Sequence, residues 1–232
     1  MFAEYFLIHT TMDTMALANY LEYTDLSPTI TARQVERKVN EAREHHFVGL
    51  CLPPFWVKKA RRELGASSVQ LVTVVGFPLG YQMTQTKTAE IRQALDDGAD
   101  EIDVVMNISA FKSGMPWVKI ELAKCATLVH EHESLLKVII ETAYLDKDER
   151  TKAATLCADA GADFVKTSTG FAPQGAVVEH VRKLRKELPS HVGIKASGGI
   201  KTYVQAQAMI EAGADRLGAS AAMAIIAEAS GR

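Results

Sequence analysis

The chain has 232 residues, 47% of them hydrophobic and 23% charged, the composition of an ordinary globular domain and a length that α/β barrels reach as one unit. Twenty-six lysines and arginines against 28 aspartates and glutamates leave a net charge of −2, with no basic stripe for a nucleic acid and no run near the ~18 apolar residues of a membrane span. The three cysteines, Cys51, Cys125 and Cys157, lack CxxC or Cys/His metal spacing and point to a reducing, cytoplasmic setting.

Residues 1–8 are apolar, but Glu4 interrupts them and no basic segment precedes them, so they do not read as a signal peptide. Residues 1–18 are read as an extension that holds an extra helix, and residues 19–232 as a single domain. From there the chain alternates. Eight strands are predicted over about 19–26, 47–52, 70–76, 100–106, 135–141, 163–168, 191–196 and 215–219, most of them short apolar runs as expected for parallel strands covered on both faces. Helical patterns separate them. Thr31 with Gln34 and Thr202 with Gln205 predict capping boxes, Asp146 with Glu149 resembles one, and Pro116 suits a first turn.

A Gly-Ala-Asp triplet recurs at 98–100, 161–163 and 213–215. Each glycine follows a helical pattern and suits the left-handed position past a helix C-terminus, and each aspartate opens an apolar run. The spacing leaves room for two βα units between copies. Strands alternating with helices predict a parallel sheet. Closure into an eight-stranded barrel and an open doubly wound sheet both fit this periodicity.

The chemistry lies in what interrupts the strands. Asp103, Lys137, Lys166 and Lys195 each sit inside an apolar run on a different predicted strand, although such residues are almost never buried without a partner. One of them alone reads equally well as a strand end reaching solvent or as part of an ion pair. Four on one parallel sheet instead converge near the C-terminal mouth of a barrel, where barrel enzymes carry their sites. A lysine with its reference pKa of about 10.4 is almost wholly protonated at pH 7 and cannot attack a carbonyl. Desolvation and a second cation nearby both favour the free amine, and an amine nucleophile implies imine chemistry on an aldehyde or ketone. Asp103 then serves as counterion or proton shuttle.

A second group suits anions. Gly170 follows Lys166-Thr-Ser-Thr169, Gly198-Gly199 follows Lys195-Ala-Ser197, and Gly218-Ala-Ser220 is expected to open the last helix. Glycine and hydroxyl residues at three late strand ends offer backbone N–H groups to a phosphate, which barrels often hold after strands 7 and 8; a glycine at such a turn is otherwise only a turn. No Walker, dinucleotide, HExxH or GxSxG motif occurs. His130-Glu131-His132 falls at a helix end with its rings on different faces, and the basic run Arg182–Lys186 reads as an exposed helix face. Trp56 and Trp117 read as packing residues.

At these residues the sequence resembles the deoxyribose-phosphate aldolases, class I aldolases on a (βα)8 TIM barrel. The matching stretches are Thr73–Gly80, Glu101–Asn107, Leu136–Thr142, Gly161–Phe171, Gly193–Ile200 and Arg216–Ser220, in family order over roughly residues 20–225. The resemblance implies the barrel rather than the open sheet. It implies Lys166 as the Schiff-base lysine, Lys195 as the second lysine that tunes it and assists proton transfer, and Asp103 with a water as proton shuttle. Lys137 would support Asp103, with Thr24 also behind the catalytic trio, and the phosphate would lie among Gly170, Gly198, Gly199 and Ser220 with Thr169 nearby. The implied reaction is reversible cleavage of 2-deoxy-D-ribose 5-phosphate to glyceraldehyde 3-phosphate and acetaldehyde, with no metal or organic cofactor.

The partner is then a small phosphorylated sugar, with neither nucleic acid nor membrane; exposed apolar helix faces would favour a homodimer. One stretch departs from the family pattern: Ile-Asp-His-Thr-Leu-Leu-Lys-Pro becomes Leu21-Glu-Tyr-Thr-Asp-Leu-Ser-Pro28. The acid is lengthened to Glu22 and the histidine becomes Tyr23, a change expected at the pocket floor and in acceptor preference. The rival readings are another Schiff-base sugar-phosphate aldolase or transaldolase, and a catalytically silent phosphate-binding barrel.

Overall fold

The apolar runs become strands, and in the computed structural model, which describes residues 12–231, those strands close on themselves. The strands β1 (Leu21–Thr24), β2 (Gly49–Leu52), β3 (Gln70–Val75), β4 (Glu101–Val105), β5 (Leu135–Ile139), β6 (Phe164–Lys166), β7 (Gly193–Ser197) and β8 (Arg216–Ala219) pair in parallel, each with its sequence neighbour. β8 returns to β1, with Leu21 opposite Leu217. This is the TIM barrel, not the open sheet. Several strands are shorter than their apolar runs, because the runs include residues that leave the sheet to form the site. Gly218 and Ala219 end β8, and the last helix starts only at Ala222, so Gly218-Ala-Ser220 does not open that helix.

Helices fill the connections: α2 (Ala32–Glu44), α3 (Val57–Leu64), α4 (Thr84–Asp96), α5 (Ile108–Lys112) with α6 (Trp117–His130), α7 (Lys147–Asp159), α8 (Val178–Glu187), α9 (Tyr203–Glu211) and α10 (Ala222–Ala229). Thr31, Asp146 and Thr202 each form a complete capping box, with Gln34, Glu149 and Gln205 as the reciprocal partners. Before β1, α1 (Thr14–Ala18) buries Leu17 and Ala18, packs against α10, and offers Ala18 O to Val48 N at 3.0 Å. Residues 1–11 of the expected extension lie outside the described residues.

The Gly-Ala-Asp triplets do the same work three times. Gly98, Gly161 and Gly213 take φ values of 98°, 91° and 105°, which end α4, α7 and α9. The aspartate that follows then reaches back to the preceding strand. Asp100, Asp163 and Asp215 accept from Leu71 N, Leu136 N and Ile194 N at 2.6, 2.7 and 2.8 Å. Each also meets a basic side chain from a helix: Arg61, His130 and Arg185 respectively. His130 is thereby engaged away from His132, whose Nδ1 lies 3.0 Å from Leu128 O.

Apolar burial divides in two. The main core lies between the barrel and its helices. A small cluster of Cys51, Val72 and Val74, with Leu26 and Phe77 against it, is separate. β2 and β3 therefore give the site an apolar side, while charges occupy the rest.

Candidate active site

Register brings the charged residues together. Asp103 on β4 lies opposite Lys137 on β5, and Lys166 on β6 lies opposite Lys195 on β7. Side chains alternate along a strand, so the residues flanking these four point to the helices while the four point into the barrel. Asp103, Lys137 and Lys195 are fully buried, and Lys166 is 2% exposed. Room for such long side chains comes from glycines. A Cβ at Gly218 would lie 3.1 Å from Lys195 Cε, and one at Gly49 would lie 3.1 Å from Glu22 Cγ.

One carboxylate oxygen organises the centre. Asp103 Oδ2 accepts from Lys166 Nζ and from Lys195 Nζ, each at 2.7 Å, and Oδ1 accepts from Lys137 Nζ at 3.1 Å. Lys195 also donates to Glu22, and Lys137 pairs with Glu101 and lies 3.6 Å from Glu22. Arg216, at the base of β8, lies 3.8 Å from Glu22 and 3.7 Å from Glu101. Three lysine side chains thus face three acidic ones in a space where an unpaired charge would be very costly.

The mutual shifts follow. Burial alone would raise the Asp103 carboxyl, but Lys137, Lys166 and Lys195 hold it well below the usual carboxylate range. Glu22 is likewise lowered, by Lys137 and Lys195 against its burial. Burial alone would lower Lys195 and Lys137, but Asp103 and Glu22, joined for Lys137 by Glu101, raise both. Lys195 therefore keeps its proton at neutral pH. Beside this group, burial pushes the Cys51 thiol up to about 11, so it stays a neutral part of the apolar side.

Of the four strand charges, Lys166 is the one that lines a cavity, a space of about 300 Å³ at the C-terminal ends of β1, β6, β7 and β8. Thr24 forms part of its wall and donates to Glu22 O at 3.0 Å. Gly170, Gly198, Gly199 and Ser220 line the same cavity, and so does Lys201. Gly198 has φ 87°, and the β6 and β7 loops close tightly there: a Cβ on Gly175 would lie 2.1 Å from Gly198 O. Ser197 Oγ ties these loops by donating to Ser168 O at 2.6 Å. Thr169 also lines the cavity, but its N–H and hydroxyl both turn to Glu141.

All the site residues anticipated from sequence thus fall in one contiguous region. Sequence reasoning missed the roles of Glu22, Glu101, Arg216, Glu141 and Lys201. The signal for the first three was the same one that exposed Asp103: a charge within a strand. Glu22 was noticed only as a departure from a motif, and the structure makes it the second carboxylate of the charge cluster. Lys201 lies two residues past Gly199 and adds a cation to the wall.

With this geometry in place, comparison with known proteins is informative. The DeoC/LacD family aldolase model matches residues 10–228. A deoxyribose-phosphate aldolase of Thermococcus gammatolerans is 46% identical over 215 residues, covering 91% of this chain and 96% of that protein. Among solved structures, "QR15, an Aldolase" superposes with a TM-score of 0.88 at 40% identity, covering 93% of this chain and 96% of that one. The tetrameric deoxyribose phosphate aldolase of Aeropyrum pernix superposes with a TM-score of 0.85 at 32% identity, covering 92% and 91%.

Proposed function

The chain belongs to the DeoC/LacD family of aldolases, and from that premise we propose that it reversibly cleaves 2-deoxy-D-ribose 5-phosphate to D-glyceraldehyde 3-phosphate and acetaldehyde through an imine on Lys166. The observation that carries the assignment of Lys166 is its position: it is the strand lysine at the cavity wall, and it shares one buried carboxylate oxygen with a second lysine that stays charged.

In the cleavage direction, the Lys166 amine attacks the C1 aldehyde of the open sugar, and loss of water gives the imine. Removal of the C3 hydroxyl proton breaks the C2–C3 bond. Glyceraldehyde 3-phosphate leaves with C3 as its aldehyde, and the bond's electron pair passes to an enamine on Lys166. Protonation at C2 and hydrolysis then release acetaldehyde and return the amine. Lys195 supplies and recovers protons across Asp103 Oδ2, which touches both lysines. Asp103, strongly held as the anion, is better suited to pass a proton than to store one. Lys137 and Glu22 fix Asp103 and Lys195 in this arrangement. The phosphate lies against Gly170, Gly198, Gly199 and Ser220, with Lys201 as counter-charge. The apolar side, from Cys51, Val74 and Leu26, suits the two-carbon fragment.

Borohydride added with deoxyribose 5-phosphate is expected to fix a covalent adduct on Lys166, and Lys166→Ala to lose both the adduct and cleavage. Activity unaffected by borohydride would remove the imine route. Three free cysteines, all buried, support a cytoplasmic setting. Exposed Met115, Trp117 and Ile120 around α6 support self-association, and sedimentation of a strict monomer would dismiss it.

A further inference from the structure

Glu141 lies just past β5, is 1% exposed, and takes φ 48° and ψ 74°. A residue with a Cβ rarely adopts this left-handed conformation. On either side of it the backbone stays bound to the neighbouring chain: Ile140 N donates to Lys166 O at 3.0 Å and Thr142 N donates to Thr167 O at 2.8 Å. Strain of this kind persists where surrounding contacts impose it. Here the contact is specific. Glu141 Oε2 accepts from Thr169 N at 3.0 Å and also from the Thr169 hydroxyl, whose oxygen accepts in turn from Phe171 N at 3.1 Å.

One buried carboxylate therefore fixes the segment Thr169-Gly170-Phe171. That segment gives Gly170 to the cavity wall and Phe171 to its mouth, where the Phe171 ring meets Phe77 edge-on at 5.3 Å. Gly170 is set closely against the β7 loop, since a Cβ on Gly198 would lie 3.4 Å from Gly170 Cα. Glu141 itself stays behind the wall and reaches the cavity only through Thr169.

We propose that Glu141 is a positioning residue for the anion-binding loop, setting affinity for the phosphate end of the substrate while leaving the carbon–carbon step to Lys166. The proposal rests on the aldolase reading above. A backbone N–H binds an anion well only when held in place beforehand, and hydrogen bonds to a carboxylate are the stronger kind. The left-handed turn is what lets the residue just past β5 supply them.

The test compares KM and kcat for 2-deoxyribose 5-phosphate and for unphosphorylated 2-deoxyribose. Glu141→Ala is expected to raise KM for the phosphorylated sugar about tenfold or more, with kcat, and kcat/KM for the unphosphorylated sugar, within about threefold of the parent. Glu141→Gly removes the carboxylate but suits the backbone, so it should give the same KM change with a smaller loss of Tm than Glu141→Ala. Glu141→Gln keeps an acceptor oxygen and should restore affinity to within about threefold.

Equal losses on both sugars, an unchanged KM, a Gln variant as impaired as Ala, or failure of both Ala and Gly variants to fold would each overturn the role. Acetaldehyde trapping with borohydride separates the two readings. A parent enzyme that is not trapped defeats the aldolase reading, whereas normal trapping with an unchanged KM in the variants defeats only the role of Glu141.

Discussion

Lys195 and Lys166 are the same residue type, one strand apart and on one carboxylate oxygen, yet they have different surroundings. Lys195 is closed in between Glu22 and Asp103, both anionic, whereas Lys166 has Asp103 and opens on the cavity. Environment, not residue type, divides their labour. Lys195→Met should therefore reduce the rate of borohydride trapping at pH 7 by about tenfold or more, since it removes the proton carrier that shares Asp103 Oδ2 with Lys166. Circular dichroism would check that the variant is folded. A trapping rate left unchanged would deny Lys195 its influence on Lys166. Glu22 belongs to the same balance. A shorter acid usual in the family pattern would start one carbon further from Lys195, so the longer side chain fits a β1 flanked in register by Gly49 and Gly218.

At the scale of elements, strand ends divide into two populations. The C-terminal ends carry Lys166, above the charged cluster of the barrel interior, and the glycine loops. At the opposite end, the aspartates of the repeated triplet sit just before β4, β6 and β8, each binding a backbone N–H at the start of the preceding strand and a basic side chain. In a barrel these two ends are the reacting and the stabilising faces. Asp100→Ala and Asp215→Ala each strand an N–H at a strand start, at a cost of about 1–3 kcal/mol, and should lower Tm by several degrees. Their kcat and KM should match the parent at 25 °C. Loss of activity at unchanged Tm would place these aspartates in the chemistry instead.

For the whole molecule, the buried charges tie stability to pH from both sides. Asp103 and Glu22 are lowered in the folded state, so their contribution is fully present above the unfolded carboxylate values of about 3.9 and 4.3 and is lost as pH falls below them. Lys137 and Lys195 are raised, so their contribution is fully present below the unfolded value of about 10.4 and is lost as pH rises beyond it. Thermal unfolding should accordingly show a plateau in Tm between about pH 5 and 9, with decline on both sides. A steep change in Tm between pH 6 and 8 would contradict the assigned charge states.

Local chemistry made much of this legible in advance. Apolar runs marked most of the strands, because burial on both faces leaves its mark in the residues themselves. Three capping boxes were readable, because their partners lie three residues apart. Asp103, Lys137, Lys166 and Lys195 declared themselves as charges in apolar surroundings, and the resemblance supplied their roles. Closure was decided by tertiary structure: whether β8 meets β1 depends on the twist summed over all the strands, which no local window contains.

The same holds for pairing. Lys195 meets Glu22 across 173 positions of chain, and Thr169 meets Glu141 across 28. Such contacts depend on register and on the space left by glycines elsewhere. Residue type determined which groups needed partners. Only the closed barrel decided which partners they found, because a buried charge is satisfied by whatever opposite charge the fold brings within reach.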